Sequence, residues 1–387
     1  MAKLYARKLR VVAAAVAALT TVGTVFLSSE GNVGAVQPTV KHSAGSQREP
    51  AVSTKSCLAS ANALLNSSEK SVPYTAPGPA FTITPAMKGK TIWFITPAED
   101  FPYIVSLYQG FEAAAKLAGV SVDVFDGQSS PTVWNTGITE AINSGAGAIV
   151  LDGIDEPDIS SAYAAAVAAK IPVISFDAEP GTSNYFSYDA NLKEEGDYTA
   201  AAALVSSGCK GTYVIYGSSI FYAITQWVDA AQQYFKEHCP SCKFVITYLP
   251  LSDINTQIGA AAQTAVHEYR NLAAIMTPDV NIPGISAGLV AIHSKVPVIG
   301  YEGYQSDLTD YVAKGITETW DISEPDPVYL GWESLDLSLR AEAGLPAPNI
   351  VFPQRAVDKR ILKNLKDNPF PWDSNPQKLF ARLWKTS

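Results

Sequence analysis

The sequence predicts an α/β protein built from two doubly wound parallel-sheet lobes. From residue 91 onward, short β-branched apolar runs alternate with longer segments of helical period. Successive strand starts lie about 25 to 30 residues apart, which is the length of one βαβ crossover unit. The same rhythm occurs twice, and a chain of 387 residues is long enough for two such lobes.

The predicted elements follow one another in two series. In the first, strands cover 91–96, 121–126, 148–153, 172–177 and 185–188, and helices cover 103–118, 132–144 and 159–169. A helix over 192–206 leads into the second series. There, strands cover 211–216, 243–248, 272–277, 297–301 and 316–320, and helices cover 224–236, 254–269, 285–293 and 307–313. Because parallel strands end at one edge of a sheet, two such lobes form a cleft where these edges face each other.

The N-terminus has the layout of a signal peptide over residues 1–35. A basic run from Lys3 to Arg10 precedes the apolar stretch 11–27. An uncleaved membrane anchor is the alternative, because this stretch is just long enough to span a bilayer. Polar and small residues such as Thr20 and Gly23 dilute its apolar character and favour the signal. We therefore expect an exported protein, in the periplasm, on the outer face of the cell membrane, or secreted.

The segment after the signal and the overall charge give two further expectations. Residues 36–89 are rich in Ser and Pro and predict a tether with one short helix over 57–65. The net charge is −9, and the basic signal segment, at +3, leaves −12 for the remainder. Such a charge repels phosphate backbones, so we expect no nucleic-acid partner.

Four cysteines follow the predicted signal, and an even number in an exported chain favours disulfides. Cys239 and Cys242 lie between a predicted helix and a predicted strand. This position favours a structural clip over a redox-active pair, which would open a helix. Cys57 and Cys209 are then left to pair with each other.

Motifs of common enzyme classes are absent or wrongly placed in the sequence. The one Gly-x-Ser-x-Gly sequence, 284–288, overlaps the predicted helix over 285–293 and does not directly follow a strand, as a nucleophile elbow does. No Gly-x-x-x-x-Gly-Lys-Ser/Thr phosphate loop occurs. His267-Glu268 does not begin a zinc motif, because Asn271 stands where the second histidine is needed. We therefore expect no catalytic residues, no cofactor and no metal site.

Polar and aromatic residues instead follow the predicted strands, where open α/β sheets place their ligands. A helix cap or a solvated loop is the alternative role for each of them. The candidate ligand-binding residues are Asp100, Tyr103, Asp177, Glu179, Tyr222, Asp279, Asn281, Glu302, Trp320 and Asp321.

Several segments, in this order and spacing, resemble the sugar-type periplasmic binding proteins. These are substrate-binding subunits of ABC importers, with ribose- and galactose-binding proteins as relatives. The segments are 101–107 with 110–112, 148–153, 172–177 and 298–303. The resemblance implies the type I fold, in which two lobes joined by three crossovers close around a sugar. Sugar-responsive repressors share this core but begin with a helix-turn-helix, whereas this chain begins with a predicted signal.

The resemblance also implies where the lobes divide. Lobe one would comprise residues 90–189 plus 322–350, and lobe two residues 190–321 plus 351–387, which include the C-terminal tail. Hinge positions are then expected at Asp189, Ala190, Ile322 and Ile350.

The chain departs from the family pattern at the ligand site. Asp177 is followed by Ala178 where the family has arginine, and no basic residue stands near Gln226, the expected place of a second arginine. Gln226 therefore joins the candidate site residues. Glu302 and Asp321 match the family's late aspartate and last glutamine.

Without those cations, we expect a neutral sugar or polyol first and a cationic compound second. The resemblance implies a monomer that delivers this ligand to an ABC permease. Two alternatives stay open: an exported glycoside-processing enzyme that uses cleft carboxylates such as Asp177 and Glu302, and a ligand-sensing partner of a membrane receptor.

Overall fold

A computed structural model of the chain describes residues 52–68, 76–99, 101–179, 185–250, 254–303, 311–323, 326–346, 351–352, 354–365 and 375–385. The predicted signal over 1–35 and the first part of the tether lie outside these residues. No helix within the described part is both long and apolar enough to cross a bilayer.

Strands and helices alternate through most of the described chain. The strands are β1 (Thr91–Thr96), β2 (Ser121–Asp126), β3 (Ala148–Asp152), β4 (Val173–Phe176), β5 (Tyr185–Ala190), β6 (Thr212–Gly217), β7 (Lys243–Tyr248), β8 (Leu272–Pro278), β9 (Val298–Gly303), β10 (Glu318–Ser323), β11 (Val351–Phe352) and β12 (Arg355–Asp358). The helices are α1 (Thr54–Ser68), α2 (Pro85–Lys88), α3 (Pro102–Ala118), α4 (Pro131–Asn143), α5 (Ser160–Ala168), α6 (Leu192–Ser207), α7 (Tyr222–His238), α8 (Ile254–Glu268), α9 (Ile282–Ala291), α10 (Pro327–Glu342), α11 (Lys359–Leu365) and α12 (Pro376–Leu383).

Two six-stranded sheets form the two lobes, with the orders β11-β5-β4-β3-β1-β2 in lobe one and β12-β10-β9-β8-β6-β7 in lobe two. All neighbouring strands are parallel except β12, which runs antiparallel to β10. The predicted fold class, two doubly wound parallel-sheet lobes, is therefore confirmed. Of the predicted helix over 307–313, residues 307–310 lie outside the described residues.

Both faces of each sheet are covered by helices, as the near-continuous apolar strands require. Within β1, Ile92 and Phe94 face the core beneath α3 and α10, whereas Trp93 and Ile95 face the core beneath α4 and α5. This alternation follows from the two-residue period of a strand. In lobe two, β6 divides its side chains in the same way between two cores.

Helix α10 forms the centre of lobe one, although no helix was predicted there. It crosses α3 at two glycines: a Cβ atom on Gly110 would collide with the carbonyl of Val328, and one on Gly331 with that of Leu107. The two backbones therefore touch at a distance that only glycine permits.

A buried ion pair on α10 fastens two distant segments to lobe one. Arg340 Nε lies 2.6 Å from Asp336 Oδ2, and both side chains are fully buried. Trp384, which follows α12, donates from Nε1 to Asp336 Oδ1 at 2.6 Å, and Arg340 donates to the Pro79 carbonyl at 2.9 Å. Each member of the ion pair therefore bonds to the other member and to one further segment of the chain. A buried ion pair needs such additional hydrogen bonds in order to be stable.

The division of the C-terminal residues differs from the expectation. Strand β11 pairs with β5 in lobe one, and Phe380 of α12 packs in the lobe-one core, so residues 351–387 do not all belong to lobe two. Ile322 lies inside β10, opposite Tyr301, so the second crossing comes after Ser323 and not at Ile322. The crossing after β5 follows Asp189 and Ala190, and Ile350 lies outside the described residues.

Part of the predicted tether is folded onto lobe two. Helix α1 is longer than the predicted helix and packs on α6, and its Ser68 Oγ accepts a hydrogen bond from the Ala356 amide at 3.1 Å. Disulfides join Cys57 to Cys209 and Cys239 to Cys242, so both predicted pairings are present.

The two disulfides should contribute unequally to stability. Cys57 and Cys209 are 152 positions apart, whereas Cys239 and Cys242 are 3 apart, and the loop-closure entropy removed from the unfolded chain grows with loop length. We expect C57S/C209S to lower the free energy of unfolding by about 2–4 kcal/mol and C239S/C242S to lower it by clearly less. Chemical denaturation of both double variants measures this. Equal losses in the two variants would contradict it.

Candidate functional site

A cavity of about 100 Å³ lies between the two lobes, at the carboxyl ends of strands from both sheets. Lobe one contributes residues that follow β1, β3 and β4, and lobe two contributes residues that end or follow β6, β8 and β9. This is the place where open α/β sheets bind ligands. The described lining residues are Pro97, Phe101, Tyr103, Ile104, Asp152, Gly153, Asp177, Gly217, Ser218, Phe221, Ala223, Ile224, Ile254, Pro278, Val280, Asn281 and Glu302.

Left-handed backbone turns mark three of the strand ends at this cavity. Asp177, directly after β4, has φ 53°, and Glu302, near the end of β9, has φ 64°. Gly153, directly after β3, has φ 59°. Non-glycine residues rarely adopt this conformation, and such strain concentrates at ligand sites. The backbone is therefore strained at two of the acidic residues that line the cavity.

Three carboxylates share the cavity. Burial raises the pKa of Asp152 well above its usual range, and the neighbouring Asp177 raises it further. The pKa of Glu302 is raised in the same way, first by burial and then by the charges of Asp177 and Asp152. The closed cavity therefore disfavours the charged forms of these acids.

A fourth carboxylate joins the two lobes beside the cavity. Asp155, in the turn after β3, accepts a hydrogen bond from the Glu179 amide at 2.7 Å and one from the Tyr222 amide at 2.8 Å. Tyr222 is the first residue of α7 in lobe two, so Asp155 of lobe one caps a helix of the other lobe. Burial raises the pKa of Asp155, and these two donors oppose the shift.

An aromatic contact accompanies this hydrogen bond. The ring of Phe221, from lobe two, lies 6.5 Å from that of Trp134, between centroids, and packs against the lobe-one core. The two lobes are therefore in direct contact next to the cavity, as in a closed cleft.

The structure brings some of the sequence-predicted site residues together. Tyr103, Asp177, Asn281 and Glu302 line the cavity. Glu179 and Tyr222 stand beside it, where their backbone amides bind Asp155. Gln226 is outside the described lining, and Asp100 lies outside the described residues.

The remaining three predicted residues lie elsewhere in lobe two. Trp320 is only 9% exposed, packs in the core of lobe two and stands outside the described lining of the cavity. Asp279 and Asp321 are buried together with Glu318, each with one carboxylate oxygen within 4.8 Å of the others. They lie against Gly300 and Gly303 of β9, outside the described lining of the cavity.

The sequence reasoning missed Asp152 and Asp155. Asp152 carries the same signal as the predicted residues, since it ends a buried strand. Asp155 carries no local signal, because its partner Tyr222 is 67 positions away in the chain.

The chain is similar to known proteins over most of its length. Residues 92–344 match the family described as a periplasmic binding protein domain. A curated relative, the ribose import binding protein of Bacillus subtilis, is 31% identical over 115 residues, which are 29% of this chain and 37% of that protein. The matched segment thus spans little more than a third of that relative.

Solved structures share the fold at low sequence identity. The 5-methylthioribose transporter solute-binding protein of Thermotoga lettingae, in complex with 5-methylthioribose, has a TM-score of 0.70 at 14% identity and covers 77% of this chain and 100% of its own. An ABC transporter solute-binding protein of Agrobacterium vitis with bound allitol has a TM-score of 0.63 at 19% identity, with 72% and 98% covered. The two-lobed fold, the cavity at its strand ends and the match over 92–344 agree, and the chain belongs to the periplasmic binding protein family.

Proposed function

We propose that the protein is an exported solute-binding protein that captures a small polar ligand, a sugar or polyol, between its lobes and delivers it to an ABC permease. The cavity at the strand ends of both lobes carries this proposal. Its lining combines apolar and aromatic side chains with a few polar groups, as small-molecule sites do.

Several observations support the parts of this proposal. Solved structures of similar fold hold 5-methylthioribose and allitol, which favours a sugar or polyol as ligand. The basic and apolar segments of residues 1–35 favour export, to the periplasm, the outer face of the membrane or the medium.

The same family membership supports binding without turnover. The cleft carboxylates Asp177 and Glu302 would suit glycoside hydrolysis only if a sugar bond were held between them. Calorimetry with a panel of sugars and polyols should give one tight ligand per protein, and mass spectrometry should recover that ligand unchanged. Release of a hydrolysed product would overturn the proposal. A best binder that is a phosphorylated compound or a carboxylate would overturn it as well.

Ligand binding should depend on the cross-lobe bond of Asp155. The variant Asp155→Ala removes the acceptor of the Tyr222 amide, a hydrogen bond that exists only while the lobes touch, together with the bond to Glu179 within lobe one. A ligand that selects the closed state then binds less tightly, by about 1.5–3 kcal/mol or roughly 10- to 100-fold in Kd.

Glu156→Ala is the matched control for this prediction. It removes a carboxylate from the same turn and should change Kd by less than about threefold. Calorimetry with the ligand found in the screen measures both variants. An unchanged Kd in Asp155→Ala would show that the cross-lobe bond does not contribute to binding.

Closure without ligand should depend on pH in a defined direction. The pKa values of Asp152 and Glu302 are raised in the closed cavity, so ionisation of these acids opposes closure, most strongly at pH above the raised values. This penalty shrinks as the pH falls below the raised values and is gone once the pH is below the ordinary pKa of the acids. We therefore expect the radius of gyration of the ligand-free protein, measured by small-angle scattering, to decrease between pH 8 and pH 5.

The variant D152N/E302Q tests the cause of that change, because it removes both charges at little cost in shape. It should be more closed at pH 8 and nearly independent of pH. A ligand-free protein that opens as the pH falls would contradict the assignment.

A further inference from the structure

The cavity between the lobes collects acidic side chains, and no basic side chain stands among its described lining residues. Asp152, Asp177 and Glu302 line it, and none of the lining residues that the structure describes is lysine, arginine or histidine. The described lining therefore supplies no side-chain cation to Asp152 or Glu302.

Helix N-termini offset only part of this negative charge. Helices α3, α7, α8 and α9 begin at the cavity, and each N-terminus carries about half a positive charge. Together they amount to about two charges, against the three lining carboxylates and Asp155. The first amide of α7 is already bound by Asp155. If these acids are ionised, a net negative potential therefore remains inside the cavity.

Asp152 shows where a ligand donor is needed. Its side chain is 3% exposed, and its Oδ2 has no hydrogen-bond partner within the described part of the chain. A buried carboxylate oxygen without a donor is costly, and a donor from a molecule in the cavity would remove that cost.

We propose that the ligand carries a protonated amino group on a small polyhydroxy skeleton, and that Asp152, Asp177 and Glu302 accept its N–H hydrogen bonds. An ammonium group brings three donors and a positive charge, whereas a hydroxyl brings one donor and no charge. The aromatic rings of Phe101 and Phe221 line the same cavity and would further favour a cation. This inference rests on the proposed function, because it names the ligand class of the same cleft.

Matched ligand pairs test the charge directly. Calorimetry would compare pentoses, hexoses and their polyols with analogues in which one hydroxyl is replaced by an amino group, such as glucose with glucosamine and sorbitol with 1-amino-1-deoxysorbitol. We expect the best binder to be an amino compound that binds about 10- to 100-fold more tightly than its hydroxyl partner.

The other outcomes distinguish the two proposals. A hydroxyl compound that binds as tightly as its amino partner, or more tightly, would overturn the ammonium inference and leave the proposed function intact. Failure of every compound in the panel to bind would contradict both.

Charge-removing variants locate the interaction. Asp152→Asn and Glu302→Gln keep the shape of the side chain and should each reduce the preference for the amino compound about tenfold. Glu140→Gln removes an exposed carboxylate from α4 and should leave the preference unchanged. An unchanged preference in both cavity variants, with their thermal unfolding intact, would overturn the assignment of these residues.

Discussion

The working of this protein depends on one constraint, which is that acidic groups of like charge lie close together in the small cavity between its lobes. Asp152, Asp177 and Glu302 approach one another in a cavity of about 100 Å³, and their mutual repulsion adds to the cost of removing them from water. When the lobes are apart, water can solvate these groups. The carboxylates therefore oppose closure unless something in the cavity compensates for them, and this makes closure conditional on a ligand.

The fold brings the charges together through a repeated local geometry. Each lobe places its strand ends at one edge, and left-handed turns at Asp177 and Glu302 redirect the chain there. Asp152 and Asp177 lie at neighbouring strand ends of lobe one, and Glu302 of lobe two joins them when the lobes meet. Asp155 stabilises that meeting from outside the cavity, by capping α7 across the interface. Asp155 thus favours closure, whereas Asp152, a few residues earlier at the end of β3, opposes it.

The sequence predicts those parts of this arrangement that leave a pattern in neighbouring residues. Strand period and spacing predicted two parallel sheets, and the position after a strand pointed to Asp177 and Glu302. The same rule misplaced Trp320 and Asp321, because β10 continues to Ser323 and both residues lie inside the strand. Helix α10 was missed because it is buried on nearly all sides, with Glu333, Asp336 and Arg340 interrupting its apolar period. Asp155 depends on a contact between lobes, which no local pattern records.

In the proposed complex, the ligand itself supplies the positive charge that the described lining of the cavity lacks. Calorimetry at pH 7 in buffers of different ionisation enthalpy measures the number of protons taken up when the ligand binds. Because an ammonium group replaces about one proton among these acids, the amino compound should take up about one proton fewer on binding than its hydroxyl partner. Equal uptake for the two would show that the acids close in the same protonation state around either ligand, and would contradict the role of the ligand charge.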